Sequence, residues 1–174
     1  MTASWLTSDP VSTIELPDDL LWSLPERFSE AVQQQPFVLP IQVQDNEIDH
    51  YDHVNNGVYL DWLQQTGWAH VRQLGLSLEL YQQLDRALVV HRHELDYLAP
   101  AYKDDALAMA TWLVRFDRLS VFRCFQLQRL SDRKTLFRAY SHYVCARMSN
   151  GKACRLPQEF LTAYRQTSQP SSQV

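Results

Sequence analysis

The spacing of apolar residues changes several times along the chain, and each change marks an element. FVLPIQVQ, residues 37–44, is a short apolar run and predicts a strand. From Gly57 to about Leu74 the period becomes helical. Tyr59, Trp62, Leu63, Thr66, Gly67, His70, Val71 and Leu74 recur at i, i+3, i+4, i+7. Val58, Leu60 and Trp68 widen this stripe, so much of the helix is expected to be enclosed. Asn55 or Asn56 is a natural N-cap and Gly75 a natural stop.

Beyond Gly75 the pattern turns to strands. In ALVVHRHELDYL, 87–98, alternation places Ala87, Val89, His91, His93, Leu95 and Tyr97 on one face, with Arg92, Glu94 and Asp96 on the other. DALAMATWLVRF, 105–116, and SVFRCFQLQRL, 120–130, are two further strands, split near Asp117–Arg118. SDRK, 131–134, is a polar turn, TLFRAYSHYVCARM, 135–148, a long last strand, and LPQEFLTAYRQ, 156–166, a closing helix. The connections are too short for parallel crossovers, so the strands pair antiparallel. The fold class is therefore α+β: one long central helix packed on a five-stranded antiparallel sheet. One helix covers one face of such a sheet, and the other face or an edge is expected to meet a second subunit.

Residues 1–35 form an N-terminal extension, with room for a short helix after Pro25. The main domain is expected over 36–166, and the polar residues 167–174 form a disordered tail. At 174 residues and 45% hydrophobic, the chain has the size and composition of one globular domain. No apolar run reaches the ~18–20 residues of a membrane span. The first 26 residues hold acids but no Lys or Arg, unlike a secretory or transit peptide. Cys124, Cys145 and Cys154 form no CxxC pair, which fits reduced thiols in the cytoplasm.

The net charge of −4 is unevenly distributed. Residues 1–114 carry 5 Lys/Arg against 17 Asp/Glu, and residues 115–174 carry 11 against 3. A basic second half attracts an anionic partner, phosphate or acidic protein, while no aromatic–basic or zinc pattern points to nucleic acid. For any single arginine, a solvated strand face is the simpler account.

The densest chemistry lies in DHYDHVNNGVYLDW, 49–62. The start of a helix leaves backbone N–H groups unpaired and carries partial positive charge, which favours anions and developing oxyanions. Amides at Asn56, Gly57 and Val58 are such donors, and Asp49, a short loop upstream, can fold back toward them as nucleophile or base. The pairing suits acyl transfer from a thioester. Simpler structural roles compete: an Asx-turn or helix cap for Asp49, a backbone-bonded loop position for His53, capping for Asn55, and core packing for Tyr59. His50 with His53, and His91 with His93, look like ligand pairs, but zinc needs three or four converging ligands, so no metal or other cofactor is expected.

The segment Asp49-His50-Tyr51-Asp52-His53-Val54-Asn55-Asn56-Gly57-Val58-Tyr59 resembles the signature of hotdog-fold thioesterases of the 4-hydroxybenzoyl-CoA thioesterase type. LDYLAPAYKDD, 95–105, and the run from Arg118 to Glu159 extend the resemblance over roughly 38–165. It departs at Asp52, where relatives often have Gly, and at Gln64, where many have Glu.

This resemblance implies a hotdog fold and hydrolysis of an acyl-CoA or acyl-carrier-protein thioester. Asp49 would be the catalytic carboxylate and the Asn56 main-chain N–H the oxyanion donor. His53, Asn55, Gly57, Val58 and Tyr59 would line the substrate. Relatives are homodimers or dimers of dimers with sites at subunit boundaries. A hotdog hydratase pairing His53 with Asp49, and a non-catalytic acyl-binding module, are the competing readings.

Overall fold

The computed structural model describes residues 13–23 and 35–167. The short helix anticipated after Pro25 and nearly all of the polar tail lie outside these residues. Five strands form one sheet: β1 Phe37–Gln42, β2 Ala87–Tyr97, β3 Ala106–Phe116, β4 Ser120–Arg129 and β5 Thr135–Ala146. Their order is β1-β3-β4-β5-β2 and every pairing is antiparallel. Helix α1 spans Asn56–Gln73, the short α2 Leu78–Gln83 and α3 Gln158–Thr167. The architecture is the expected α+β one, a long helix on a five-stranded antiparallel sheet.

Helix α1 forms where its apolar stripe meets good caps. The Asn55 side chain accepts the Gly57 N–H at 2.8 Å, which settles the N-cap. At the other end, Gly75 takes φ +79°. Its N–H bonds the Arg72 carbonyl and the Leu76 N–H bonds that of Val71, a Schellman closure that satisfies two terminal carbonyls. Between the caps, Tyr59, Trp62, Leu63, Thr66, Ala69, His70 and Val71 are buried. They meet the inner sheet face, where Leu107, Met109, Phe125, Leu127, Phe137 and Ala139 complete the core with Tyr59, Trp62 and Leu63. Each fully buried large apolar side chain here stabilises the fold by about 1.5–3 kcal/mol.

Strict alternation along β2 does not hold. A bulge lies between Val90 and Arg92, so the faces exchange there. His91 turns outward, its ring 4.8 Å from that of His142, whereas His93 turns inward to Ser141, Nδ1 to Oγ 2.8 Å. The expectation that both histidines share a face is corrected by this inserted residue. The bulge leaves Leu88 and Leu95, seven residues apart, both packed on the inner side.

The outer face carries the N-terminal segment. Gln126 Oε1 accepts the Ser23 N–H at 2.9 Å, Arg138 donates to Ser23 Oγ at 2.7 Å, and Arg133 pairs with Asp19 at 2.8 Å. Gln128 reaches the Leu21 carbonyl, and Trp22 sets its ring edge-on to Trp112 at 6.2 Å. Residues 13–23 thus run as a ribbon over the sheet face that, with an edge as the alternative, is expected from the sequence to meet a second subunit.

Part of the charge asymmetry is taken up in ion pairs. Arg129 bonds Asp105 and Asp132, Arg133 bonds Asp19, Arg147 bonds Asp85, and Lys103 bonds Asp45. Arg115 lies over the Phe122 ring. Arg123 is buried.

Candidate active site

The loop before α1 is tied down at several points. Asp45–Glu47 makes a single 3-10 turn, closed by the Gln44 N–H to Glu47 Oε2 at 2.8 Å. The other Glu47 oxygen accepts the Trp62 indole N–H at 3.0 Å, so the loop is fastened to the helix two turns in. The Glu47 carbonyl takes the Asn55 N–H at 2.9 Å, and Ala101 takes that of Val54 at 2.9 Å. Ile48 bridges to Val54, closing residues 49–53 into a tight loop.

Asp49 organises this loop. Its Oδ1 accepts the Tyr51 N–H at 2.8 Å, an Asx-turn, and the His53 N–H at 3.4 Å. Its own N–H bonds the His53 carbonyl at 2.7 Å. Oδ2 accepts no hydrogen bond from a described residue, and the half-buried carboxylate makes no ion pair among them. Asp52 sits at φ +61°. That conformation suits Gly, and Asp is among the few other residues that adopt it readily, so the departure at this position keeps the same turn.

Of the three candidate amides at the helix start, two are occupied. The Gly57 N–H goes to Asn55 Oδ1 and the Val58 N–H to the Asn55 carbonyl at 2.9 Å. The Asn56 N–H has no partner among the described residues. Tyr97, on β2, donates its hydroxyl to the Asn56 carbonyl at 3.1 Å and pins that peptide to the sheet edge. Asn55, Asn56 and Gly57 are all exposed at this end of the helix. His53 is half-buried, its ring edge-on to Tyr102 at 5.2 Å. Tyr59 lies in the core, and its hydroxyl accepts the Ala101 N–H at 3.0 Å. Burial raises its pKa, so the phenol stays neutral. Glu47, Trp62 and Tyr97 position the loop and were not singled out in the sequence. Their roles depend on contacts between distant segments, and no local pattern announces them.

Among the described residues no group of three or more His, Cys, Asp or Glu converges as a metal site. His50 packs on Tyr51 while His53 packs on Tyr102, and the β2 bulge parts His91 from His93. No described helix is long and apolar enough to cross a membrane.

The family described as Thioesterase-like superfamily matches residues 43–164. No curated protein sequence matches the chain. Solved structures share its fold. Slr0204, a 1,4-dihydroxy-2-naphthoyl-CoA thioesterase from Synechocystis, is 23% identical with a TM-score of 0.71, over 78% of this chain and 100% of that one. SAV2348 from Staphylococcus aureus, solved in complex with CoA, is 16% identical with a TM-score of 0.74, over 81% of this chain and 89% of the other. YbaW, a probable thioesterase from Escherichia coli, is 23% identical with a TM-score of 0.64, over 76% and 99%.

Proposed function

The chain belongs to the thioesterase-like superfamily, with the hotdog fold, and from that premise we propose that it hydrolyses an acyl-CoA thioester to the free acid and thiol. The observation that carries the reading is the division of labour around the start of α1. One Asp49 oxygen holds the loop, the other is left for chemistry, and the Asn56 N–H is the first-turn amide left without a partner among the described residues.

In this scheme the thioester carbonyl oxygen lies on the Asn56 N–H. A fixed amide dipole at a helix start stabilises the tetrahedral oxyanion, an effect worth about 2.7–4 kcal/mol for one donor. Asp49 acts through its unengaged oxygen, either attacking the carbonyl or taking a proton from the attacking water. The C–S bond breaks and the thiolate takes up a proton, the one Asp49 drew from water when water attacks directly; where Asp49 attacks, water then cleaves the acyl-aspartyl anhydride, releasing the acid and restoring the carboxylate. His53 stands at the substrate entrance. Asn55, Gly57 and Val58 shape the helix start, where glycine admits close approach, and Tyr59 backs the wall. Gln64, exposed on α1, stands in place of a second carboxylate, so Asp49 works alone.

CoA is favoured over a carrier protein because one structural relative was solved with CoA. The partner copy is assigned to β2. Among the described residues that strand ends the sheet with one side of its backbone unpaired, and Val89, Val90 and Tyr97 lie exposed along it. A homodimer through this edge sets both helix starts beside the new boundary. The three thiols fit a cytoplasmic setting.

The test is thiol release from a panel of aliphatic and aromatic acyl-CoAs. Turnover of at least one is expected, and its loss in Asp49→Asn. A panel without any thiol release ends the proposal.

A further inference from the structure

Arg123 sits in the middle of β4, pointing at α1, and is 3% exposed. Its Nη1 donates to His70 Nδ1 at 3.0 Å and to Thr111 Oγ1 at 3.3 Å. Its Nη2 is buried and has no partner among the described residues. No described carboxylate pairs with it. The ionisable groups around it are His70, Tyr81, Tyr143 and Tyr164. Burial raises all three phenols, and burial together with Arg123 holds His70 down to about 2, so all four stay neutral. A guanidinium in this position is an uncompensated buried charge, which costs several kcal/mol unless an anion reaches it.

Next to Arg123 is a cavity of about 190 Å³ between α1, α2 and the β2 side of the sheet. Gly67, Trp68, Val71, Leu88 and Val90 wall it, and Arg123 is the buried cation in its lining. The volume is below the ~300–1,000 Å³ of a whole small-molecule site, so it fits the end of a ligand. Gln64, at its mouth, is eight residues along α1 from Asn56, about 12 Å at 1.5 Å per residue. His70, the contact of Arg123, lies about 9 Å further along the same axis.

We propose that this cavity receives a carboxylate bound by Arg123 Nη2, and that the acyl group hydrolysed here is an ω-carboxyacyl chain lying along α1 with its acid at Arg123 and its thioester at Asn56. A hydroxyl or ketone would satisfy the Nη2 hydrogens but leave the charge unmatched. Arg86, half-buried in the same lining, has its Nη1 on the Leu84 and Asp85 carbonyls, so a phosphate would draw on both cations and is the rival ligand in the melting-temperature test. One carboxylate balances one guanidinium, and the apolar walls suit the methylenes leading to it. The substrate half of this assignment rests on the thioesterase reading; the binding of a carboxylate does not.

The test has two arms. In the first, CoA thioesters of equal long chain length, enough to span the about 21 Å from Asn56 to His70, and ending in methyl or in carboxylate, are compared. The carboxylate-ended ester is expected to show kcat/KM about tenfold higher or more, and Arg123→Met to erase the preference. In the second, melting temperature is measured with a free medium-chain dicarboxylic acid, its monomethyl ester, the matching monocarboxylic acid and inorganic phosphate. A larger shift with phosphate than with the diacid overturns the carboxylate. The diacid is expected to raise the melting temperature of the native protein and not of Arg123→Met. Should Arg123→Met not fold, Leu88→Trp, which fills the cavity from a half-buried, inward-packed strand position, is expected to abolish the same shift. Stabilisation by the diacid without turnover of either ester would sink the thioesterase reading and leave the anion site standing. Turnover with no preference and no stabilisation overturns the site. Equal stabilisation by the monocarboxylic acid, again with no kinetic preference, assigns the cavity to released acid and overturns the substrate class.

Discussion

Asp49 uses one carboxylate oxygen for the turn and leaves the other uncommitted, so substitutions at this position separate folding from turnover. Asn keeps an Oδ1 acceptor for the Tyr51 and His53 amides and removes the charge. Asp49→Asn is expected to lower kcat by about 10²–10⁴-fold with little change in melting temperature. Asp49→Ala is expected to lose the turn as well, at about 1 kcal/mol in urea unfolding. Full turnover in Asp49→Asn would remove the carboxylate from the mechanism. His70 yields a pH effect. Its folded pKa of about 2 lies below the unfolded value of about 6.5, so the unfolded chain binds the extra proton. Its contribution is complete above about pH 6.5 and drains away as pH falls toward 2, by about 2 kcal/mol between pH 6.5 and 5. Asp85 and Asp132, held below their usual 3.8, join only at lower pH. His93 and His142 shift in the same direction as His70, so urea midpoints of His70→Gln and the native protein at pH 7.5 and 5 isolate the His70 share. A flatter slope in the variant is the expected result. Asp49 and Asn56 stand out in the sequence as candidates because a helix start after a polar loop has defined chemistry. Arg123 does not stand out, since an arginine in a strand reads the same whether its face meets water or α1.

At the level of elements, α1 and the strands follow from spacing, because burial on one face imposes period 3.6 or 2. Two features escaped. Helix α2 is a single LELYQQ segment held by the Ser77 cap and the buried Tyr81, too short to establish a period. The β2 bulge adds one residue and swaps faces with no turn residue to mark it. The end of α1 is a sharper case, since Gly75 was marked from sequence and closes the helix at positive φ. A Cβ there would meet nothing within 4 Å, so only backbone conformation resists a side chain. Gly75→Ala is expected to cost about 1 kcal/mol and Gly75→Asn less, measured by thermal or urea unfolding. Equal stability of all three proteins would mean the Schellman closure contributes nothing.

For the molecule as a whole, the free edge of β2 sets the expected assembly. An edge unpaired among the described residues and lined at its start by exposed Val89 and Val90 invites a second copy, and a lysine among those valines opposes that pairing. Light scattering after size exclusion is expected to give twice the 20.3 kDa chain mass for the native protein and the single mass for Val89→Lys. A native protein that elutes at the single mass excludes the dimer. The ribbon of residues 13–23 constrains any assembly larger than that pair. Trp22 and Ser23 occupy the back of the sheet, bonded through Gln126 and Arg138. Two molecules laying their backs flat together would have to peel that strip off both, so any growth beyond the pair is expected to run sideways, rim to rim.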